Sequence, residues 1–298
     1  DTTSLTDNYR LFLANEFKDI PKNRGELWKL STFNNLLYFH MEESLYVTKG
    51  KQQMQMKDGS EAFVGSGDIF QQEPDEIMQA DKGYGGTQSQ WAALTSPQGY
   101  FFVDVNSRKV FLMKDKLSEV SNAGMENWFK DNLPFTLEQY GYNAPCISGI
   151  FDNPLIGLGL TSVYDPKFKR ILLTKKDLKP KQLFIDGYNL YLNWASSDYA
   201  GSSIPDGAIK FDCKIGQFVA AHVLDNPGGP NVIEYVPISW DLPSAYFEST
   251  GWTISYYPEF NVWCGFHDYV PYIYFNTSDN FYSIPDFDLS LNAGNHKI

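Results

Sequence analysis

The feature that most constrains this chain is a pattern that recurs along it: a short run of β-branched and aromatic residues, a polar turn, and a second such run. Runs bounded by Asn, Asp, Pro or Ser in this way are typical of antiparallel β-hairpins. Five pairs of runs fit the pattern: 36–41 with 45–48, 99–104 with 109–113, 160–164 with 170–174, 252–257 with 261–266, and 272–275 with 281–284. The sequence therefore predicts a mainly β fold of antiparallel hairpins and meanders.

Two of these hairpins resemble each other. Residues 164–171 and 256–263 align with Tyr, Pro and Phe in register. Similar hairpins within one chain favour a repeat architecture, and we predict a β-propeller-like arrangement with short helices and a loop-rich insertion. The spacing between hairpins is irregular, which leaves two alternatives open: a propeller with insertions between its blades, or ordinary antiparallel hairpins.

Local composition divides the chain into four predicted segments. The first is helical or extended, because Ser, Thr and Asp residues at the start of 4–17 can cap a helix and apolar residues follow at helical spacing. A short helix capped by Ser121 and a helical turn around residues 73–78 are predicted within the second segment. The third is rich in Gly, Pro and Ser, and the fourth returns to hairpins of what we expect to be a longer polypeptide. The segments are 1–35, 36–185 with its helix near 121–132, 186–235, and 236–298.

Charge and cysteine content narrow the function classes. The chain has 24 Lys and Arg against 36 Asp and Glu, a net charge of −12. An acidic chain is poorly suited to grip nucleic acid through its phosphates, although it suits a channel through which DNA slides. No apolar run reaches the length of a membrane-spanning helix. The three cysteines, Cys146, Cys213 and Cys264, are far apart in sequence, which argues against a disulfide scaffold or a zinc motif and favours a reducing compartment.

The residues that most often carry chemistry show no catalytic pattern. The four histidines lack the spacing of zinc ligands, so structural or surface roles are favoured for His40, His222, His267 and His296. Ser66 lacks the strand–turn–helix context of a nucleophile. Cys146 and Cys264 lie in apolar runs and are predicted to be buried. We expect no catalytic, cofactor-binding or metal-binding residues, and no cofactor.

Three further patterns each have a simpler interpretation. Gly83–Thr87 is glycine-rich, but a tight turn with positive φ is favoured over a phosphate loop. Two carboxylates can hydrolyse a glycoside, but a solvated acidic loop is favoured for Glu73, Asp75, Glu76 and Asp81. The glycosylation triplet at 276–278 lies in a predicted turn, and we interpret it as a coincidence.

A family resemblance is carried by longer runs. They are Tyr84–Ala92, Pro97–Asp104, Lys109–Leu112 and Val120–Phe129, followed in the same order by Tyr164–Pro166, Ile171–Thr174, Gly251–Tyr256 and Trp263–Pro271. Together they resemble the muzzle (tail-nozzle) proteins of crAss-like, short-tailed bacteriophages over about residues 36–298. The Gly-, Pro- and Ser-rich segment is the main departure from that pattern.

The resemblance implies a non-catalytic structural protein. It implies a β-propeller-like body in a homo-oligomeric ring at the distal end of the tail tube, with other tail proteins as partners. Genome DNA would pass along the axis without sequence-specific binding. We expect synthesis in the bacterial cytoplasm, assembly into the virion and no membrane span. Two alternatives stay open: a carbohydrate-binding or polysaccharide-degrading tail protein acting on the host surface, and an extracellular lectin.

Overall fold

The computed structural model gives the chain two compact units, Asp1–Val120 and Ser121–Ile298. The residues that it describes are 19–48, 52–55, 61–64, 73–136, 152, 158–180, 184–186, 189–191, 204, 206–212, 217–237 and 247–284. Nearly all of the regular structure in them is antiparallel β-sheet, which confirms the predicted mainly β fold.

The described part of the first unit contains two four-stranded sheets and a ribbon. A 3-10 turn, Lys22–Arg24, precedes the first sheet. That sheet has the order β1-β2-β3-β6, with strands β1 (Leu27–Phe33), β2 (Leu36–Met41), β3 (Leu45–Val47) and β6 (Asp75–Glu76). Strands β4 (Gln52–Gln55) and β5 (Glu61–Val64) form the ribbon. The second sheet is a meander, β7 (Leu94–Ser96), β8 (Gly99–Asp104), β9 (Lys109–Met113) and β10 (Leu117–Glu119).

The core of the first unit is aromatic and is built from both sheets. Tyr38 of β2 stacks on Tyr100 of β8 with ring centroids 6.0 Å apart, and Phe102 stacks on Phe111 at 5.3 Å. All four side chains are almost completely buried. Aromatic pairs at these distances add to the stabilisation that burial alone provides. Aromatic residues make up 16% of the chain, and this core contains several of them.

The second unit is organised around a sheet with the order β11-β12-β20-β21. Its strands are β11 (Gly159–Asp165), β12 (Arg170–Lys176), β20 (Trp252–Tyr257) and β21 (Val262–His267). The two hairpins that align in sequence are β11–β12 and β20–β21, and they are neighbours here, with Ile171 paired to Tyr256. Their similarity is therefore that of adjacent hairpins in one sheet, not of equivalent hairpins in successive sheets.

A large insertion separates β12 from β20. It begins with a two-stranded stem, β13 (Leu178–Pro180) against β19 (Phe247–Ser249). Between the stem strands lies a five-stranded meander: β14 (Phe184–Asp186), β15 (Asn189–Tyr191), β16 (Ile209–Asp212), β17 (Gln217–Leu224) and β18 (Val232–Pro237). The insertion thus interrupts a sheet between its second and third strands. The predicted loop-rich segment 186–235 lies within it and contains strands.

The remaining elements among the described residues of the second unit are a helix and a ribbon. Helix α1 (Glu126–Asn132) lies within the range predicted for a helix. Ser121 is not its N-cap, because Met125 holds that position after the left-handed Gly124. The ribbon pairs β22 (Ile273–Asn276) with β23 (Phe281–Ile284).

A further sequence expectation differs from the structure. The helical turn predicted at 73–78 is the short strand β6, because Tyr46 and Val47 of β3 pair with it. Strand β1, which lies in the predicted segment 1–35, pairs with β2 of the next segment, and the division into four segments stays a prediction. The sheets described do not close into a barrel or a propeller, so the propeller-like arrangement stays a prediction. The predicted N-terminal helix at 4–17 lies outside the described residues.

Candidate functional site

The glycine-rich loop Gly83–Thr87 is a tight turn, as predicted. Gly83 and Gly85 have φ angles of +84° and +72°, in the left-handed region that favours glycine. Gly86 lies against the turn between β2 and β3, where a Cβ atom would be 2.0 Å from the carbonyl oxygen of Glu42. Backbone packing therefore accounts for these glycines without a bound phosphate.

Gln88 follows this loop and joins two turns of the first unit. Its Nε2 donates to the carbonyl oxygen of Glu42, 2.6 Å away, and to Oδ1 of Asp104, 3.2 Å away. Its Oε1 accepts from the backbone N–H groups of Val105 and Asn106, at 2.7 and 3.2 Å. One amide thus makes four hydrogen bonds and ties the β2–β3 turn to the β8–β9 turn. We call this arrangement the Gln88 clamp.

Neighbouring polar groups support the Gln88 clamp. Asp104 is 4% exposed, and its burial raises the pKa of its carboxyl group, although the hydrogen bonds from Ser107 and Gln88 oppose that shift. Thr87 donates its hydroxyl to the carbonyl oxygen of Val103 at 2.7 Å. Because nearly every buried polar group needs a partner, these side chains stabilise one conformation of the loop.

His40 is a structural residue of the same region. The ring is fully buried, with Nε2 3.1 Å from the carbonyl oxygen of Gly85 and Nδ1 2.9 Å from the hydroxyl of Tyr100. A carbonyl oxygen only accepts, so Nε2 carries the proton and Tyr100 donates to Nδ1. Burial lowers the pKa of His40 to about 3, so the ring is neutral at physiological pH. This agrees with the structural role predicted for it.

One member of the predicted acidic cluster, Glu76, is paired with a cation. Arg24 forms an ion pair with Glu76, with Nε 3.0 Å from Oε1, and also donates to the carbonyl oxygens of Ala80 and Asp81. Asp75 is adjacent to Glu76 on β6, where successive side chains point to opposite faces. Glu76 is therefore held as a partner of Arg24, which argues against a pair of carboxylates prepared for glycoside hydrolysis.

A cleft of about 560 Å³ opens beside β6 in the first unit. Its apolar lining side chains are buried or half-buried, and we call them its floor; its polar and charged lining side chains, all exposed except Glu76, we call its rim. The floor consists of Leu36, Tyr38, Val47, Ile77 and Met113, and the rim consists of Asn34, Asp75, Glu76, Gln79, Lys114 and Asp115. Among the rim carboxylates, Asp75 and Asp115 are exposed. We call it the acidic-rim cleft. The sequence pointed to Asp75 and Glu76 as an acidic pair, but it gave no sign of the apolar floor.

The hairpin loop between β11 and β12 is basic and exposes an aromatic side chain. Oδ1 of Asp165 accepts from the backbone N–H groups of Lys167 and Phe168, and its Oδ2 lies 3.0 Å from Nε of Arg170. The guanidinium of Arg170 lies 4.8 Å from the centroid of the Phe168 ring, which is 53% exposed. Lys167 and Lys169 are exposed. This loop, the basic tip, presents an ordered aromatic side chain among cations.

A buried ion pair lies in the second unit, at the end of β12. Nζ of Lys175 is 2.7 Å from Oδ2 of Asp177, and the two side chains are 3% and 1% exposed. The ammonium also donates to the carbonyl oxygens of Asn132 and Pro134, while Asp177 accepts from Thr136. The pair therefore attaches the segment that follows α1 to the sheet. Sequence reasoning missed it, because the only signal was charge next to an apolar strand.

The aromatic face of α1 also packs on this sheet. Trp128 makes edge contacts with Trp252 and Phe266, at centroid distances of 4.7 and 5.1 Å. Phe129 contacts Trp263 at 4.8 Å. The helix is too short to be stable alone, so these contacts and the buried ion pair hold it in place.

Other predicted residues are separate from these features. His222 pairs with Asp206 at 3.1 Å on the exposed surface. Burial is the main cause that lowers the pKa of His267, which is half-buried beside Tyr269. Cys264 is exposed, so its predicted burial is wrong; a bulge between β20 and β21 places it at the surface. Four residues lie outside the described part of the chain: Ser66, Cys146, Cys213 and His296.

The described residues contain neither a metal-binding cluster nor a membrane-spanning helix. No group of three or more His, Cys, Asp or Glu side chains there is arranged to hold a metal ion. No helix in that part of the chain is long and apolar enough to cross a membrane.

The chain matches a known protein family over most of its length. A family model described as Crassvirus muzzle protein matches residues 2–287. The chain belongs to the Crassvirus muzzle protein family. No curated protein matches the chain. The muzzle family comprises structural proteins of the phage tail, so the chain is a phage virion protein.

The runs that resemble the muzzle family have structural roles here. Tyr84–Ala92 contains the glycine-rich turn and the Gln88 clamp, and Tyr164–Pro166 begins the basic tip. The family match begins at residue 2, whereas the resemblance predicted from the sequence runs begins at about residue 36. What these muzzle-family runs specify is the connection between sheets and the conformation of hairpin loops.

Proposed function

We propose that the chain is a non-catalytic structural subunit of the phage tail muzzle, and that copies of it form a homo-oligomeric ring around the path of the genome. The observation that carries the proposal is the match to the muzzle family over residues 2–287. The proposal includes a ring of copies, a position at the distal end of the tail and a propeller-like arrangement of sheets. It also includes synthesis in the host cytoplasm and contacts with other tail proteins.

The polar chemistry of the first unit supports a structural role. The Gln88 clamp, His40 and the Arg24–Glu76 pair connect elements far apart in sequence, with most of their hydrogen-bonding groups satisfied within the protein. Such networks specify one rigid conformation. A subunit that withstands genome ejection needs that rigidity.

Net charge supports passage of DNA without binding. With a net charge of −12, the chain repels phosphates on average. A channel made from many copies would therefore neutralise few phosphates, and the release of counterions would contribute little to DNA binding. Genome DNA is therefore a transient neighbour in this proposal and not a sequence-specific ligand.

Immunogold labelling of intact phage particles tests the proposal, with antibodies raised against this chain. Label at the distal end of the tail is expected. Particles that carry no label, while the protein is found in the soluble lysate, would contradict it. Binding to a glycan array or cleavage of host polysaccharide by the purified chain would favour the carbohydrate-directed alternative.

A further inference from the structure

We propose that the basic tip of one copy docks into the acidic-rim cleft of a second copy, and that this contact joins neighbouring subunits. The inference rests on the proposed structural function and adds the surface through which copies associate. The tip belongs to the second unit of the chain and the cleft to the first. A head-to-tail contact between two different surfaces is the kind that generates rings when its rotation closes.

The tip has the properties of an interface anchor. Phe168 is 53% exposed, and its loop is ordered before binding by two backbone hydrogen bonds to Asp165. Arg170 lies over the ring, 4.8 Å from its centroid. Aromatic side chains in a preformed geometry lose little conformational entropy on binding, so they frequently dominate the energy of an interface.

The cleft offers the matching surface. Its floor includes the apolar residues Leu36, Val47 and Ile77, against which an aromatic ring can pack. Its volume of about 560 Å³ is sufficient for a Phe side chain with part of the flanking loop. The exposed carboxylates on its rim, Asp75 and Asp115, would face the lysines that flank Phe168. Lys114 also lies on the rim, while Glu76 is paired with Arg24.

Charge complementarity selects this occupant. The basic tip places Lys167 and Lys169 on either side of Phe168, within a chain whose net charge is −12. A cation-flanked aromatic is therefore attracted to the acidic surface of another copy. The neighbouring β20–β21 loop is the natural comparison, because Phe260 is 71% exposed but follows Glu259. That acidic flank disfavours docking against Asp75 and Asp115.

Sedimentation velocity of the full chain tests the contact. Phe168→Ala is expected to weaken self-association by about tenfold or more, as truncation of an interface anchor does. Phe260→Ala is the matched control and is expected to leave association unchanged, although it removes a more exposed ring at the same end of the sheet. Equal losses in the two variants, or no loss in Phe168→Ala, would overturn the inference.

Charge reversal provides a second, independent test. Lys167→Glu with Lys169→Glu, and separately Asp75→Lys with Asp115→Lys, are each expected to weaken association. A chain that carries all four reversals restores attraction between tip and cleft, and its association is expected to recover. Circular dichroism confirms that each variant is folded. Failure of the four-fold variant to recover while folded would contradict the pairing.

Three outcomes separate this inference from the proposed function. A wild-type chain that stays monomeric, with a tip variant that lowers only its thermal stability, would mean that tip and cleft meet within one copy. Normal assembly of every variant, together with gold label on the tail, would refute the contact but keep the muzzle function. Absence of label would refute the function itself.

Discussion

His40 makes the stability of the chain depend on pH. Its pKa in the folded protein is about 3, whereas an unfolded chain has a histidine pKa of about 6.5. Between these values the unfolded state binds the additional proton, so stability falls as the pH decreases through that window and is constant above it. The expected loss from this residue is about 2 kcal/mol between neutral pH and pH 5.

Urea unfolding at several pH values measures this dependence. His40→Gln removes the titrating group, and its free energy of unfolding is expected to vary less with pH than that of the wild type. The comparison concerns slopes, so a general loss of stability in the variant does not affect it. Parallel slopes for the two proteins would show that His40 is not the source.

Gly86 and Gly124 require glycine for two different reasons: close packing at Gly86 and a left-handed backbone at Gly124. Gly86→Ala places a methyl group 2.0 Å from the carbonyl oxygen of Glu42, and we expect destabilisation of roughly 2–3 kcal/mol or more. Gly124→Ala meets no atom within 4 Å but must adopt φ of +82°, which costs about 1–2 kcal/mol. Thermal unfolding of both variants measures the difference. A larger effect at Gly124 would contradict the packing described for Gly86.

At the scale of elements, the Lys175–Asp177 pair is expected to matter through its burial. Either single replacement, Lys175→Met or Asp177→Leu, leaves one charge buried without its partner and is expected to cost about 3–5 kcal/mol. The double replacement removes both charges, and we expect a loss well below the sum of the two. Urea denaturation of all four proteins completes the cycle. Additive losses would show that the two side chains do not interact.

The hairpins were the predictable part of the fold, because their information is local. Strands β8 and β9 have the bounds predicted, since a polar turn follows Asp104 and the left-handed Arg108 precedes the second strand. The same left-handed position recurs at Lys169 and Asn261, before β12 and β21. Loop length and turn residues therefore determine these elements without help from the rest of the chain.

Pairing between distant segments was not predictable. Strand β6 has only two residues and is extended because β3 lies beside it, a contact that its own sequence does not encode. Likewise, the alignment of 164–171 with 256–263 predicted repetition but not that the two hairpins share a sheet. The Gln88 clamp appeared in the sequence only as a run resembling the muzzle family, because its partners Glu42 and Asp104 are remote from it.

For the whole molecule, we expect salt to weaken self-association. The proposed contact pairs Lys167 and Lys169 with carboxylates near the surface, where mobile ions screen charge. Raising the ionic strength from about 0.1 M to about 1 M shortens the Debye length from about 10 Å to about 3 Å. Sedimentation at several salt concentrations should show a steady decrease in oligomer. The Phe168 contact is apolar, so some association should persist; stronger association at high salt would indicate an interface dominated by apolar surface.

The insertion between β12 and β20 has a consequence for how the chain folds. The central sheet of the second unit is completed only when two hairpins on either side of the stem meet, after residues 177–251 have been looped out. The entropy of closing a loop rises only slowly with its length, so a long insertion costs little stability. It does raise the mean sequence separation of contacts, which slows folding. The β11–β12 hairpin is therefore expected to form early. Strand β12 is then expected to stay an unpaired edge strand until β20 has been synthesised.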